Sequence, residues 1–66
     1  MQIHVNGHPE TVDGAPALLA WLQAKGIDPA HVVVEVNREI VAREAFATRP
    51  VQPGDRLEIL RFVGGG

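Results

Sequence analysis

Hydrophobic and polar positions alternate first at the amino terminus. Ile3 and Val5 take one face and Gln2 and His4 the other, which predicts a short half-buried strand. Asn6-Gly7 follows and favours a two-residue turn with positive φ at both positions. A second strand then runs back through Glu10 to Val12, and Pro9 assigns it to a sheet edge because proline donates no amide hydrogen. Asp13-Gly14 breaks this strand, and Pro16 fits the first turn of a helix. Leu18, Trp21, Leu22 and Lys25 fall at i, i+3, i+4 and i+7, and Leu19 widens the stripe. Gly26 followed by Ile27 is a helix stop, and Asp28-Pro29 blocks continuation.

The second half reads as strands. Val32 to Val36 is β-branched, Asn37-Arg38 is a turn, and Glu39 to Ala42 is a short return strand. Arg43 to Ala47 makes one helical turn with Phe46 plugging the core. Pro53-Gly54 suits a type II turn, and Arg56 to Val63 is the last and longest strand. Gly64, Gly65 and Gly66 have no side chains to pack and are expected to form a flexible tail. One domain over residues 1–63 with a tail at 64–66 results, with no repeat, linker or second domain. The order strand, strand, helix, strand, strand, strand predicts an α+β fold. A mixed sheet of four or five strands would carry one main helix on one face, as in the β-grasp or ubiquitin-like fold. Ile3, Val5, Leu18, Trp21, Leu22, Val34, Leu57 and Ile59 are the expected core.

Composition narrows the function. A chain of 66 residues buries only about 60% of its unfolded surface, so its core is thin and leaves little room for a deep pocket. A larger partner would have to supply one. The net charge of −2, with both signs interspersed, lacks the basic footprint of a nucleic-acid binder. The absence of cysteine excludes disulfides, thiolate metal sites and cysteine nucleophiles. With no signal peptide and no long apolar run, it points to a cytoplasmic protein.

The chemistry left is that of the tail. A terminal carboxylate has a pKa of about 3.5 and is ionised at neutral pH. Held by a partner with ATP and magnesium, it can attack the α-phosphate to give an acyl-adenylate, which is open to attack by sulfur. Glycine suits this, since a chain without Cβ threads a narrow channel and leaves its carbonyl carbon unshielded. Three residues at most ~3.5 Å each span about 10 Å, enough to enter a cleft. The bland alternative is a frayed end or an expression remnant.

Two segments carry a resemblance. Pro53-Gly54-Asp55-Arg56-Leu57-Glu58-Ile59-Leu60-Arg61-Phe62-Val63-Gly64-Gly65-Gly66 resembles the carboxyl-terminal segment of the sulfur carrier family of thiamin biosynthesis. Val34 to Val41, followed by Arg43, resembles that family's central hairpin, and Asn6-Gly7 its first turn. The helix entry Ala15-Pro16-Ala17 departs from the threonine-valine type expected there. The resemblance implies that an E1-like adenylyltransferase activates the Gly66 carboxylate with ATP and magnesium. A persulfide sulfur donor of the cysteine desulfurase type then converts it to a thiocarboxylate, which gives its sulfur to thiazole synthase. The protein is then a co-substrate with no bound cofactor, not an enzyme. A carrier for molybdopterin or another pathway, and a tag for protein conjugation, share the same tail chemistry. A non-catalytic β-grasp binding module of the kind attached to some GTPases and synthetases is the other reading. The Met1 start and glycine ending argue against such an embedded module.

The remaining residues have plain readings beside functional ones. His4, His8 and His31 match no zinc spacing and read as solvated or structural. Asp13, Glu35, Glu39, Glu44, Asp55 and Glu58 form no acid pair and read as a mostly solvated face. Trp21 at helical spacing reads as core rather than a ligand platform. On the last strand Leu57 and Ile59 share one face, so Leu60 and Phe62 share the other. With the helix on the first face, Leu60 and Phe62 form an exposed docking patch that leads into Val63, Gly64, Gly65 and the reactive Gly66. A twist or bulge that buries Phe62 is the alternative. Arg56 and Arg61 would serve as rim charges or as plain solubilising groups.

Overall fold

The computed structural model describes residues 1–62. Five strands form one mixed sheet: β1 (Gln2–Val5), β2 (His8–Thr11), β3 (Val32–Val36), β4 (Glu39–Ile40) and β5 (Arg56–Arg61). Their order across the sheet is β2-β1-β5-β3-β4. One helix, α1 (Leu18–Ala24), crosses between the two hairpins. β1 pairs antiparallel with β2 and parallel with β5, with Val5 beside Leu57. β3 pairs antiparallel with β5 along five residues, from Val32↔Arg61 to Val36↔Leu57. The last strand is thus the central one.

Local sequence explains the connections. Asn6 and Gly7 have φ of 50° and 83°, and Asn37 and Arg38 have 53° and 72°. These are the left-handed pairs that a tight hairpin turn requires, and asparagine and glycine tolerate them best. Both hairpins therefore close in two residues. Gly54, at φ 81°, occupies the third position of the Gln52–Asp55 turn, which is closed by the Asp55 N–H donating to Gln52 O at 3.1 Å.

The helix starts later than the sequence predicts. Pro16 lies outside it, and Ala17 is its N-cap without any side-chain capping bond. Residues 16–18 instead pair with the chain before β5. Ala17 bridges Pro50, the Val51 N–H donates to Pro16 O, and the Leu18 N–H donates to Arg49 O. A strand-like use of the backbone here competes with the first helical turn and wins. The exit is as read: the Ile27 N–H donates to Leu22 O and the Gly26 N–H to Gln23 O, both at 3.0 Å, with Gly26 at φ 74°. That double bond is the Schellman stop.

Smaller differences occur at other ends. Strand β2 begins at His8, two residues before the expected start, although the Val12 N–H still donates to Met1 O. Strand β4 is only Glu39–Ile40, because Ala42 turns into a single 3-10 turn at Arg43–Ala45. A further 3-10 turn, Pro29–His31, follows α1 and is capped by Asp28, whose Oδ1 accepts the Ala30 N–H at 2.9 Å. Strand β5 ends at Arg61. Val63 and the tail residues 64–66 lie outside the described residues.

The core lies between α1 and one sheet face. Ile3, Leu18, Leu22, Val34 and Leu57 are fully buried, and Trp21, Val32, Val36, Val41, Phe46 and Val51 close around them. Phe46 plugs this core as expected. Val5 and Ile59, expected in the core, are only half-buried at its margin. The reason is length: seven helical residues cover about 10 Å, too little to roof both ends of the sheet. Asp55 is a further correction. Read as solvated, it is 7% exposed, and its carboxylate accepts from Asn37 Nδ2 at 3.0 Å and from the Gln52 N–H at 2.9 Å.

Replacing Leu22 with alanine should destabilise the protein by about 2–5 kcal/mol, as for other fully buried leucines. Ile59→Ala should cost less than half of that, because part of its side chain stays in water. Urea unfolding of both variants checks the difference. Equal losses would place Ile59 in the core after all.

Candidate functional site

The site is built on β5, the strand that leads to the tail. Its start and its middle are tied by asparagine side chains from the hairpin turns. At its start, Asn37 Oδ1 accepts the Arg56 N–H at 3.0 Å while its Nδ2 donates to Asp55. Near its middle, Asn6 Oδ1 accepts the Ile59 N–H at 2.8 Å and Asn6 Nδ2 donates to Ile59 O at 3.5 Å. At its end, the Phe62 N–H donates to His31 O at 3.1 Å. These clamps hold the strand in register up to the last described residue. They were not singled out in the sequence, where Asn6 and Asn37 read only as turn formers. Their double role follows from the turn: a left-handed asparagine at a hairpin corner can aim its amide at the neighbouring strand.

Alternation along β5 sorts its side chains as the sequence predicts. Leu57 is buried under α1, whereas Leu60 and Phe62 are 55% and 48% exposed. The twist-or-bulge alternative, in which Phe62 is buried, does not occur. The structure enlarges the patch. Val33 stands directly opposite Leu60 and is 36% exposed, and Ile40 on β4 is 70% exposed. Val33 was legible in principle, since it has the opposite phase to the buried Val32, Val34 and Val36. Next to this apolar strip, Glu35 and Glu58 face each other across β3 and β5. Like charges in that position disfavour the sheet slightly, and among the described residues neither carboxylate has an ion-pair partner. Arg56 shares this face, beside His4 of β1.

Arg61 has the parity of Leu57 and Ile59. It lines a cleft of about 230 Å³ with Gly26, Asp28, His31 and Phe62, at the end of the domain where β5 stops. A larger groove of about 430 Å³ lies along α1, lined by Trp21, Glu10 and Lys25 among others. There Lys25 pairs with Glu10 at 2.6 Å and its ammonium lies 5.6 Å from the centre of the Trp21 ring. Trp21 itself is buried, so it serves as core. Among the described residues no three His, Asp or Glu side chains gather into a metal site, and no helix is long and apolar enough to cross a membrane. His4, His8 and His31 lie on β1, on β2 and in the Pro29–His31 turn, and among the described residues His4 Nδ1 is buried without a hydrogen-bond partner. Of the predicted site residues, Leu60 and Phe62 are thus together on the open face. Val63, Gly64, Gly65 and Gly66 fall outside the described residues.

A mixed five-stranded sheet with its last strand in the middle and one helix across one face is the β-grasp, or ubiquitin-like, architecture. The sequence carries the assignment further. Residues 3–66 match the ThiS family, and the chain belongs to that family of ubiquitin-like sulfur carriers. The crystal structure of the thiamine biosynthesis protein ThiS from Geobacter metallireducens is 42% identical and superposes with a TM-score of 0.86, covering 100% of both chains. A solution structure of a thiamine biosynthesis protein from the same organism gives 0.80 over 100% of this chain and 88% of that one, again at 42% identity. Two proteins named thiazole synthase also match over 100% of this chain: 35% identity in Magnetococcus marinus and 38% in Paramagnetospirillum magneticum. The chain spans 20% of the length of each of these two curated relatives.

Changing Phe62 to aspartate should leave the melting temperature nearly unchanged, because an exposed side chain contributes little to folding. The same change should weaken docking to a partner that covers the open face. A large fall in melting temperature would make Phe62 part of the core and remove it from the site.

Proposed function

We propose that the protein carries sulfur for thiamin biosynthesis as a thiocarboxylate on Gly66. One observation carries this reading: the end-to-end match, at 42% identity and a TM-score of 0.86, to a thiamine biosynthesis protein of the same family. The geometry of the body supports it. Strand β5 is clamped in the centre of the sheet and, in the sequence, Gly64-Gly65-Gly66 follow it within three residues. The apolar strip of Val33, Leu60 and Phe62 lies on the open face of the sheet at that end of β5.

The chemistry runs in two exchanges. An E1-like adenylyltransferase binds ATP and magnesium, and the Gly66 carboxylate oxygen attacks the α-phosphorus. Pyrophosphate leaves, and the mixed anhydride makes the carbonyl carbon electrophilic. The terminal sulfur of a persulfide donor attacks that carbon, and AMP departs as the leaving group. Reductive cleavage of the resulting acyl disulfide by a thiol frees the thiocarboxylate. Thiazole synthase then takes the sulfur. In this scheme the protein is a co-substrate that supplies no catalytic side chain and binds no cofactor of its own. The match to proteins named thiazole synthase supports that acceptor over molybdopterin synthesis or conjugation.

Intact-mass analysis tests the reading. With the adenylyltransferase, ATP, magnesium and a persulfide donor, the mass should rise by about 16 Da as sulfur replaces oxygen at the activated carbonyl. Deleting Gly65 and Gly66 should abolish the change without altering the unfolding midpoint. A chain extended beyond Gly66 should also stay unmodified. If an untrimmed extended chain is sulfurated, Gly66 is not the carrier group.

A further inference from the structure

The hydrogen bonds of β5 leave one slot of its ladder empty. The Asn37 N–H donates to Arg56 O at 2.8 Å, and the Phe62 N–H donates to His31 O. With the β3–β5 register, these bonds turn the peptide groups of residues 56, 58, 60 and 62 toward β3. The groups of Leu57, Ile59 and Arg61 therefore turn toward β1. Strand β1 serves only the first: the Asn6 N–H donates to Leu57 O at 2.8 Å, and there the chain turns away. The Asn6 side chain fills the second slot by bonding both the N–H and the C=O of Ile59. The third slot is Arg61. Among the described residues its N–H and C=O have no partner, and the residue is exposed. The outer edges are blunted in ways known to prevent unwanted pairing, by Pro9 in β2 and by the two-residue length of β4. The Arg61 slot has no such protection, although Phe62 holds its strand in place from the other side.

We propose that this slot is a strand-addition site: an extended segment of thiazole synthase hydrogen-bonds to the Arg61 N–H and C=O and continues the sheet where β1 stops. The choice of partner rests on the function proposed above. It is argued from the two relatives named thiazole synthase, in which a region matching this whole chain is one fifth of a longer polypeptide. Chemistry favours backbone pairing. Gly64-Gly65-Gly66 offers a partner no side chains, so an enzyme that takes the tail must recognise peptide groups, and Arg61 is the last β5 residue with both of its own free on the β1 side among the described residues.

Arg61→Pro and Arg61→Ala separate the backbone from the side chain. Proline at 61 removes no bond to β3, because the Arg61 N–H faces the other way, and edge positions of that kind tolerate proline. Titrated against thiazole synthase, Arg61→Ala should bind within about twofold of wild type. Arg61→Pro should bind about tenfold more weakly, the loss expected for one interfacial hydrogen bond. Hydrogen exchange on the wild-type protein gives a reading that does not depend on how the proline variant folds. The Arg61 amide should exchange freely alone and become protected in the complex, while the Phe62 amide is protected in both. Free exchange at Arg61 in the complex, or equal weakening by alanine and proline, overturns the proposal. If the wild-type protein is sulfurated but does not bind thiazole synthase, the proposal falls while the carrier function stands. If it is neither sulfurated nor bound, both fall.

Discussion

Everything in this fold depends on the double pairing of β5. The β1–β2 hairpin and the β3–β4 hairpin do not touch each other within the sheet; each reaches the other only through the last strand. Residues 2–5 and 56–61 must therefore meet across nearly the whole chain before the sheet exists. Such long-range closure is costly in chain entropy, and the return comes from the buried cluster that the closed sheet and α1 share. Asn6 and Asn37 reinforce the closure at the places where backbone pairing runs out. Asp55 ties Asn37 to the turn before β5, so a buried carboxylate links two segments that the hydrophobic core alone would leave loosely aligned.

That constraint also shapes the function. A strand at the edge of a sheet could fray, whereas β5 is held by β3 to its end and by β1 and the Asn6 side chain as far as Ile59. Among the described residues the domain offers open grooves rather than an enclosed cavity, so under the function proposed above the pocket for adenylation and sulfur transfer would be supplied by partner enzymes. What the domain supplies is a strand, an exit and a surface. On that surface the exposed Val33, Leu60, Phe62 and Ile40 lie with Glu35 and Glu58, which have no ion-pair partner among the described residues. Folding alone would not favour like charges opposite one another beside bare apolar groups. A partner that covers this face, as the proposed function requires, would account for the arrangement.

Much of this was legible in the sequence because it is local. Period-two alternation placed Leu57 inward and Leu60 and Phe62 outward. The stripe of Leu18, Trp21 and Leu22 oriented the helix, and Asn6-Gly7, Gly26 and Gly54 marked the points where only a left-handed backbone closes the chain. Those features depend on residues within a few positions of one another. The strand order is not among them, since spacing alone does not say which strands lie side by side.

What the tertiary structure decided came from contacts between distant segments. Residues 16–18 gave up a helical turn because the backbone at 49–51 was there to bond with them. Val5 and Ile59 lost full burial because a seven-residue helix is too short to roof the sheet, and Asp55 went inside because Asn37 and the Gln52 amide satisfy it. The open slot at Arg61 exists because β1 turns away at Asn6, 55 residues earlier in the chain. Side-chain periodicity carries no signal of that kind, since it records which way a residue faces and not where its neighbouring strand ends.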